Sequence, residues 1–261
     1  MRTHSVNDVT DTPLVSVIVP VVRPDFAEQA LKAIASQNWK GPIEVIAVHD
    51  GGAPLDLTFL SSGRWRNISI HPQAGAAVAR NVAVATSQGE VLAVCDDDDL
   101  WHSNHLACTV PLAVQSSGMV YTDALVHHLD EKWKAPFRFR CSPEILRQTL
   151  PVIFSTMVIR RQVWDQVGPL DPQLPRHGDW DWVLRASDQG VPILRVPRST
   201  ITYRFSGRSA SANRSAMGEE LQVFIQKHHL SALPVSDFAT MVHHPDWAQW
   251  RDPDPADPEV G

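Results

Sequence analysis

The sequence predicts an α/β fold with a mostly parallel central sheet flanked by helices. Short apolar runs rich in β-branched residues occupy 14–19, 43–48 and 90–95, and parallel strands buried on both faces have this composition. Between them, residues 25–37 and 75–87 carry apolar side chains at helical spacing. Alternation of strand and helix gives a parallel sheet with right-handed crossovers.

The second half of the chain has a less regular pattern than the first. We expect strands at 119–126 and 191–196, and helices at 178–189 and 216–229. A short strand at 67–71 completes the first half. The pattern contains no internal repeat.

Bulk composition excludes several classes of protein. A chain of 261 residues with 43% apolar content suits one large globular domain. A net charge of −6 argues against nonspecific nucleic-acid binding. No apolar run approaches the roughly 20 residues that span a bilayer, and the N-terminus lacks a signal-peptide core. Three cysteines (Cys95, Cys108 and Cys141) follow no metal-ligand spacing. We therefore expect a cytoplasmic protein.

Unusual residues follow three of the predicted strands. The first strand runs into 20–22 (PVV), the second into 49–51 (HDG), and the fourth into 96–99 (DDDD). In open parallel sheets, ligands bind beyond the carboxyl ends of the strands. The sequence therefore predicts a ligand site along this edge.

Four consecutive aspartates repel each other unless a cation neutralises them. Carboxylate oxygens suit hard cations such as Mg²⁺ or Mn²⁺. The alternative is a solvated acidic loop that caps a helix near Ser103. On charge alone the two interpretations are even, and the position after a buried strand favours the metal.

Four separated segments carry a resemblance to a known family. They read PLVSVIVP, VIAVHDGG, AGAAVARNVAVATSQGEVLAVCDDDDLW and GPLDPQLPRHGDWDWVLR, in this order. Together they resemble the successive motifs of the family 2 glycosyltransferases, over roughly residues 14–210. The resemblance implies a GT-A fold and inverting, metal-dependent transfer of a sugar from a nucleotide diphosphate, with UDP favoured and dTDP open. It also implies a nucleotide-sugar-binding half at 14–115 and an acceptor-side half at 116–243. Composition predicts a flexible N-terminus at 1–13 and a Pro/Asp-rich tail at 244–261 that is extended or disordered and buries no core.

The resemblance also assigns roles to individual residues. In the family, Asp50 and Arg80 match positions near the nucleotide, and Asp96 and Asp98 match the Asp-x-Asp pair that binds ribose and metal. The nucleotide-binding set is completed by Pro20, Val22 and Asp97. Val22 stands where the family often has a tyrosine.

On the acceptor side, Asp179 matches the carboxylate that acts as general base, and the alternative is an N-cap of the helix over 180–189. Asp181 competes with it, although two residues along a helix point about 200° apart. Trp180, Arg204 and Arg208 are further candidates for diphosphate or acceptor contacts, and surface or core packing is the alternative for each. Ser206 stands where many members have a metal-reaching histidine, so a third protein ligand is not identified.

Two other functions remain open from the sequence. A nucleotidyltransferase acting on sugar phosphates would need a glycine-rich loop where this chain reads PVVRPDF. A noncatalytic nucleotide-sugar-binding domain would need neither Asp98 nor Asp179. We expect single transfer to a cell-surface glycan, a lipid-linked sugar or a small molecule. The oligomeric state stays open, with a homodimer as one possibility.

Overall fold

The computed structural model describes residues 12–51, 54–58 and 64–252. In this part of the chain, nine strands form one sheet with helices packed on both faces. The expected α/β architecture is confirmed. No helix in these described ranges combines the length and the apolar character needed to cross a lipid bilayer.

The strands and helices alternate regularly only in the first half. The strands are β1 (Val15–Val21), β2 (Ile43–Asp50), β3 (Arg64–Ile70), β4 (Val91–Val94), β5 (Leu100–Trp101), β6 (Met119–His128), β7 (Trp133–Phe137), β8 (Val158–Arg160) and β9 (Ile193–Phe205). The helices are α1 (Pro24–Ala35), α2 (Ala76–Thr86), α3 (His105–Ser116), α4 (Pro143–Leu146), α5 (Arg161–Val167), α6 (Gly178–Asp188), α7 (Arg214–His228) and α8 (Phe238–Met241).

Strand order explains why the predicted site lies at one edge. Strands β3, β2, β1 and β4 are adjacent in that order, and all are parallel. Beyond β4 the sheet becomes mixed, because β8 pairs antiparallel with β4 and β6 pairs antiparallel with β8. Strand β9 then pairs parallel with β6 and antiparallel with β5. The predicted parallel sheet therefore describes the first half, and the second half adds antiparallel pairs.

The sheet lies between two layers of buried apolar side chains. Successive side chains of a strand point to opposite faces, so Val17 and Val19 meet α1 and α3 on one face while Ile18 meets α2 on the other. Helices α5, α6 and α7 also cover this second face. Apolar side chains on both faces account for the near-continuous hydrophobic runs.

The C-terminal segment differs from the expected extended tail. Residues Pro245–Trp250 form a 3₁₀ helix, and the Trp247 side chain is buried against the core. Arg251 pairs with Phe139 in an isolated bridge, and Asp252 forms an ion pair with Arg195. Burial of a large aromatic ring outweighs the extended tendency of the flanking prolines and aspartates. The rest of the expected tail, and the N-terminal residues 1–11, lie outside the described residues.

Candidate active site

A pocket of about 520 Å³ opens at the carboxyl edge of β1, β2 and β4. Both halves of the chain contribute to its lining. The sequence-predicted residues that line it are Pro20, Val22, Asp50, Arg80, Asp96, Asp97, Asp98, Asp179, Trp180 and Arg208. Arg204 and Asp181 are not among its lining residues.

Asp97 holds the turn between β1 and α1. Its carboxylate accepts hydrogen bonds from the backbone N–H groups of Val22, at 2.6 Å, and of Arg23. The guanidinium of Arg23 donates to the other oxygen, with an Nη2–Oδ1 distance of 3.1 Å. Asp97 is almost completely buried. Its contacts are therefore structural, and they fix the wall of the pocket beside Val22.

Arg23 is a site residue that the sequence analysis did not assign. Its Nη1 atom lies 2.5 Å from Oδ2 of Asp98, so one guanidinium contacts two neighbouring carboxylates. Burial raises the pKa of Asp98 to about 7, opposed by Arg23 and reinforced by Asp96 and Asp97. The signal available in the sequence was a single arginine in the turn after the first strand, where that turn faces the acidic run.

Arg80 compensates the negative charge of Asp96, the first aspartate of the run. Its Nη2 forms an ion pair with Oδ1 of Asp96, and its guanidinium lies over the Phe154 ring, 5.3 Å from the centroid. The Asp96 side chain keeps 24% of its surface exposed, whereas that of Asp98 keeps 10%. Asp96 is therefore the more accessible of the two carboxylates predicted to bind metal.

Arg204 lies behind the acidic run. Its backbone N–H donates to the carboxylate of Asp99 at 3.2 Å, and its guanidinium bonds to the carbonyl oxygen of Asp98. A further nitrogen donates to Gln29 at 2.8 Å. Burial raises the pKa of Asp99 well above its usual range. Arg204 thus supports the turn that carries the aspartates, on the side away from the pocket.

Asp50 fixes the entrance to α2. One oxygen accepts the N–H of Ala74 at 2.6 Å, and the other accepts the N–H of Gly75 at 2.8 Å. Gly75 has a φ of 92°, a backbone conformation that favours glycine. Helix α2 consequently begins at the pocket with its N-terminus directed into it, which favours anions there.

Asp179 lies in the first turn of α6 and faces the pocket. One oxygen accepts the N–H of the following residue, Trp180, at 2.8 Å. Burial raises the pKa of Asp179, and the charge of Arg80 opposes that rise. A carboxylate with a raised pKa is a stronger base than an exposed one, as proton abstraction requires.

Asp181 does not line the pocket, and it is fully buried. Its oxygens contact the side chains of Arg185 at 2.9 Å, Lys227 at 2.7 Å and His228 at 2.8 Å. Burial opposes the charge, but hydrogen bonds from His228, Lys227 and Arg185 outweigh it and lower the pKa of Asp181 to about 2. Asp181 therefore joins α6 to α7, and its side chain is separate from that of Asp179.

Residues 12–51, 54–58 and 64–252 contain no set of three His, Cys, Asp or Glu side chains arranged to hold a metal ion. The carboxylates of Asp96 and Asp98 lie in one pocket as a smaller set. A Mg²⁺ site commonly uses one or two carboxylates and completes its coordination with substrate phosphates and water. The pair therefore fits a metal that binds together with a diphosphate.

An acidic turn at the carboxyl edge of a parallel sheet, with the Asp179 carboxylate in the same pocket, is the arrangement that the resemblance led us to expect. The chain belongs to glycosyl transferase family 2, whose family model matches residues 16–168. It is a glycosyltransferase, as the resemblance predicted.

Proteins similar in sequence to this chain are also named glycosyltransferases. The chain is 27% identical over 231 residues to the uncharacterized glycosyltransferase YwdF of Bacillus subtilis, covering 84% of this chain and 85% of that protein. It is 26% identical to the glycosyltransferase AglE of Haloferax volcanii, covering 69% of this chain and 64% of that one.

Solved structures confirm the GT-A fold. S. aureus TarS in complex with UDP-GlcNAc superimposes with a TM-score of 0.64 at 16% identity, over 82% of this chain. The mannosyltransferase PcManGT of Pyrobaculum calidifontis, in complex with GDP-Man and Mn²⁺, superimposes with a TM-score of 0.60 at 20% identity, over 85% of this chain. This chain spans 66% of each of those two structures.

The contacts of Asp181 predict a stability effect. Because its pKa is lowered from an ordinary value of 3.8 to about 2, its stabilising contribution is present above about pH 4 and is lost as the pH falls towards 2. Asp181→Asn removes the carboxylate that Arg185, Lys227 and His228 share, so it should lower the free energy of unfolding at pH 7 by about 2 kcal/mol. The difference from wild type should shrink below pH 4.

Urea unfolding at pH 7 and at lower pH measures this effect. Asp188→Asn is the matched control, because Asp188 lies on the same helix and pairs with Arg147 at the exposed surface. That change should cost less than about 1 kcal/mol. Equal stability losses for the two variants at pH 7 would contradict the assigned role.

Proposed function

We propose that this glycosyltransferase is metal dependent and inverting, and that it moves one sugar from a UDP-sugar to an acceptor hydroxyl or amine. The observation that carries the proposal is one pocket with Asp96 and Asp98 on the β4 turn and Asp179 on α6. Leaving-group stabilisation and proton abstraction need separate groups on different sides of the sugar. The two sets of carboxylates come from different elements around one pocket, which supports this division of roles.

The nucleotide is proposed to lie between Asp50 and Arg80. Each oxygen of Asp50 accepts one backbone N–H and retains a lone pair. It can therefore accept the N3–H of uracil, and thymine offers the same group. The neighbouring folds bind different bases, UDP-GlcNAc in TarS and GDP-Man in PcManGT, so the local residues must select the base. The N-terminus of α2 and Arg80 favour the diphosphate.

Asp98 and Asp96 would hold the divalent cation, either Mn²⁺ or Mg²⁺. The raised pKa of Asp98 reflects burial and neighbouring negative charge, and a cation would relieve both. A bound divalent cation supplies Lewis-acid stabilisation of the negative charge that develops on the diphosphate.

Arg23 must exchange partners in this proposal. Its Nη1 atom pairs with Oδ2 of Asp98 at 2.5 Å. Arginine matches phosphate oxygens as well as carboxylates in geometry. A donor diphosphate therefore offers Arg23 a second anionic partner. Its movement to the diphosphate would free Asp98 for the cation, so donor and metal should bind together.

Asp179 is proposed to act as general base. The acceptor O–H gives its proton to the Asp179 carboxylate while the acceptor oxygen forms a bond to the anomeric carbon. The bond from that carbon to the phosphate oxygen breaks, and its electron pair leaves with the nucleoside diphosphate. Attack opposite the leaving group inverts the anomeric configuration, so an α-linked donor gives a β-linked product. Positioning both substrates in one pocket lowers the entropic barrier.

The nucleotide proposal predicts an order of affinities. In calorimetry with Mn²⁺ present, UDP should bind most tightly, dTDP should follow or match it, and GDP and CDP should be weaker. The physical reason is that uracil and thymine share the N3–H that Asp50 accepts. Tightest binding by GDP would exclude the assignment of Asp50.

The metal proposal predicts the effect of Asp98→Ala. This variant should lose most of the divalent-dependent transfer and should bind UDP more weakly in Mn²⁺, with little change in EDTA. Asp25→Ala, an exposed change in the first turn of α1, is the control and should behave as wild type. If Asp98→Ala retains normal turnover and normal Mn²⁺-dependent UDP affinity, the cation is held elsewhere.

The base proposal predicts a selective loss of turnover. Asp179→Asn keeps the shape of the side chain but removes its basicity, so kcat with a hydroxyl acceptor should fall roughly 10²–10⁴-fold. Donor affinity should change little by comparison. Wild-type kcat should decline as the pH falls through the raised pKa of Asp179, because only the carboxylate accepts a proton.

Two measurements test the base directly. Kinetics with Asp188→Asn provide a control on the same helix, and Asp181→Asn should lower kcat much less than Asp179→Asn. NMR of the product reports the anomeric configuration. An α-linked product from an α-linked donor, or near-normal turnover of Asp179→Asn, would rule out this mechanism.

A further inference from the structure

A carboxylate on α7 holds the start of α6. The Glu220 side chain is buried, and it accepts the backbone N–H groups of Arg176 at 2.6 Å and of His177 at 2.8 Å. These two residues immediately precede α6, which begins at Gly178 and carries Asp179 in its first turn. His177 and Asp179 both line the pocket, whereas Glu220 is not among the lining residues. Glu220 therefore fixes, from behind, the segment that presents Asp179 to the pocket.

The same carboxylate orients the imidazole of His177. Its Nδ1 atom lies 3.3 Å from Oε1 of Glu220. Burial opposes the charge of Glu220, but hydrogen bonds from the His177 side chain and from the backbone N–H groups of Arg176 and His177 outweigh it and lower the pKa of Glu220. An ionised carboxylate only accepts hydrogen bonds, so Nδ1 carries a proton. In the neutral ring the lone pair is then on Nε2.

Two aromatic rings hold the imidazole in this orientation. The Phe224 ring lies 6.1 Å away with an interplanar angle of 29°, and the Trp180 ring lies 6.1 Å away at 40°. The two rings also contact each other, with 4.4 Å between centroids. Closely packed interiors restrict side-chain rotation. The imidazole of His177 is therefore fixed by packing as well as by Glu220.

The charge of His177 acts on Asp179. Burial raises the pKa of Asp179, and the charge of Arg80, the backbone N–H of Trp180 and the charge of His177 all oppose that rise. A guanidinium stays charged at every pH of interest, whereas an imidazole changes its charge within the physiological range. His177 is therefore the group in this set whose effect on Asp179 depends on pH.

We propose that Glu220 and His177 are a positioning pair for Asp179. Glu220 holds the start of α6 and the imidazole in place, and the imidazole, when protonated, keeps the Asp179 carboxylate ionised. This inference rests on the proposed function, in which Asp179 is the general base. Both residues act through Asp179 and not on the reacting atoms.

The positioning pair extends turnover to lower pH. A general base is lost when it takes up a proton, but the imidazole gains its positive charge as the pH falls and so opposes protonation of Asp179. The neighbouring Glu220 carboxylate compensates the imidazolium, which would otherwise be a costly buried charge. The charged groups that face the pair and the base are Arg176 beside Glu220, and Arg80 and Asp96 beside Asp179.

Titration of the Asp179 carboxyl tests the charge of the pair without any acceptor. ¹³C NMR gives the pH midpoint of this carboxyl, whose signal is assigned by its loss in Asp179→Asn. His177→Asn retains an N–H donor for Glu220 but cannot become charged. The midpoint of Asp179 should therefore move to higher pH in this variant. A midpoint equal to that of wild type would overturn the proposal, because a purely structural role leaves the titration unchanged.

Hydrolysis of UDP-glucose, with water as the nucleophile, tests the positioning. Glu220→Gln keeps an acceptor oxygen for the backbone N–H groups but loses the charge that holds the imidazole. Because small displacements of a catalytic group are costly, kcat should fall at least about tenfold, with KM for UDP-glucose near that of wild type. Glu219→Gln is the matched control, since Glu219 is the exposed neighbour on α7. It should leave both kcat and the Asp179 midpoint unchanged.

Asp179→Asn separates this inference from the proposed function. Hydrolysis by Asp179→Asn at the wild-type rate would refute the general base itself. If Asp179→Asn is impaired while Glu220→Gln and Glu219→Gln both hydrolyse UDP-glucose as wild type does, the positioning pair is refuted and the base stands. Thermal unfolding establishes that each variant is folded. If Glu220→Gln does not fold, the titration of His177→Asn decides.

Discussion

Charge balance at the end of β4 is the constraint on which the site depends. Four aspartates follow a buried strand, and burial alone would drive them to the neutral form. Arg80 pairs with the first aspartate, and Arg23 pairs with the second and third. Arg204 reinforces the turn from behind. These cations come from separate parts of the chain, so the acidic run and the surrounding fold stabilise each other.

The topology brings those cations together. Strand β1 lies between β2 and β4, so the turns after all three strands meet at one edge. Arg23 enters from the first turn, and Arg80 enters from α2, which leads into β4. The antiparallel pairing of β8 with β4 then continues the sheet into the second half, and α6 covers the same pocket from that side. The acidic run and Asp179, which come from different halves of the chain, therefore line one pocket.

The first half of the fold was predictable because local pattern and final burial agree there. Strands such as β1 are buried on both faces, so their apolar residues form unbroken runs. Short strands such as β8, with three residues, carry too little pattern to be recognised, and the sheet fixes them through their partners.

The pocket residues also divide into those that local pattern identifies and those that only contacts between distant parts of the chain reveal. Ten predicted residues line it, because strand ends and motif order identify positions along the chain. The contact between Arg23 and Asp98 spans distant parts of the sequence, so local spacing contains no sign of it. The partners of Asp181 on α7 were likewise beyond local pattern. Trp247 shows the converse, since a polar, proline-rich composition concealed a ring that the core buries.

Helix α7 and the acidic run line the same pocket from different segments of the chain. The α7 residues Met217 and Leu221 form no hydrogen bond or ion pair with the turn after β4 in the described contacts. Changes at sites that share no partners combine almost additively. Substitutions on α7 can therefore reshape one side of the pocket without disturbing the charge balance at the end of β4.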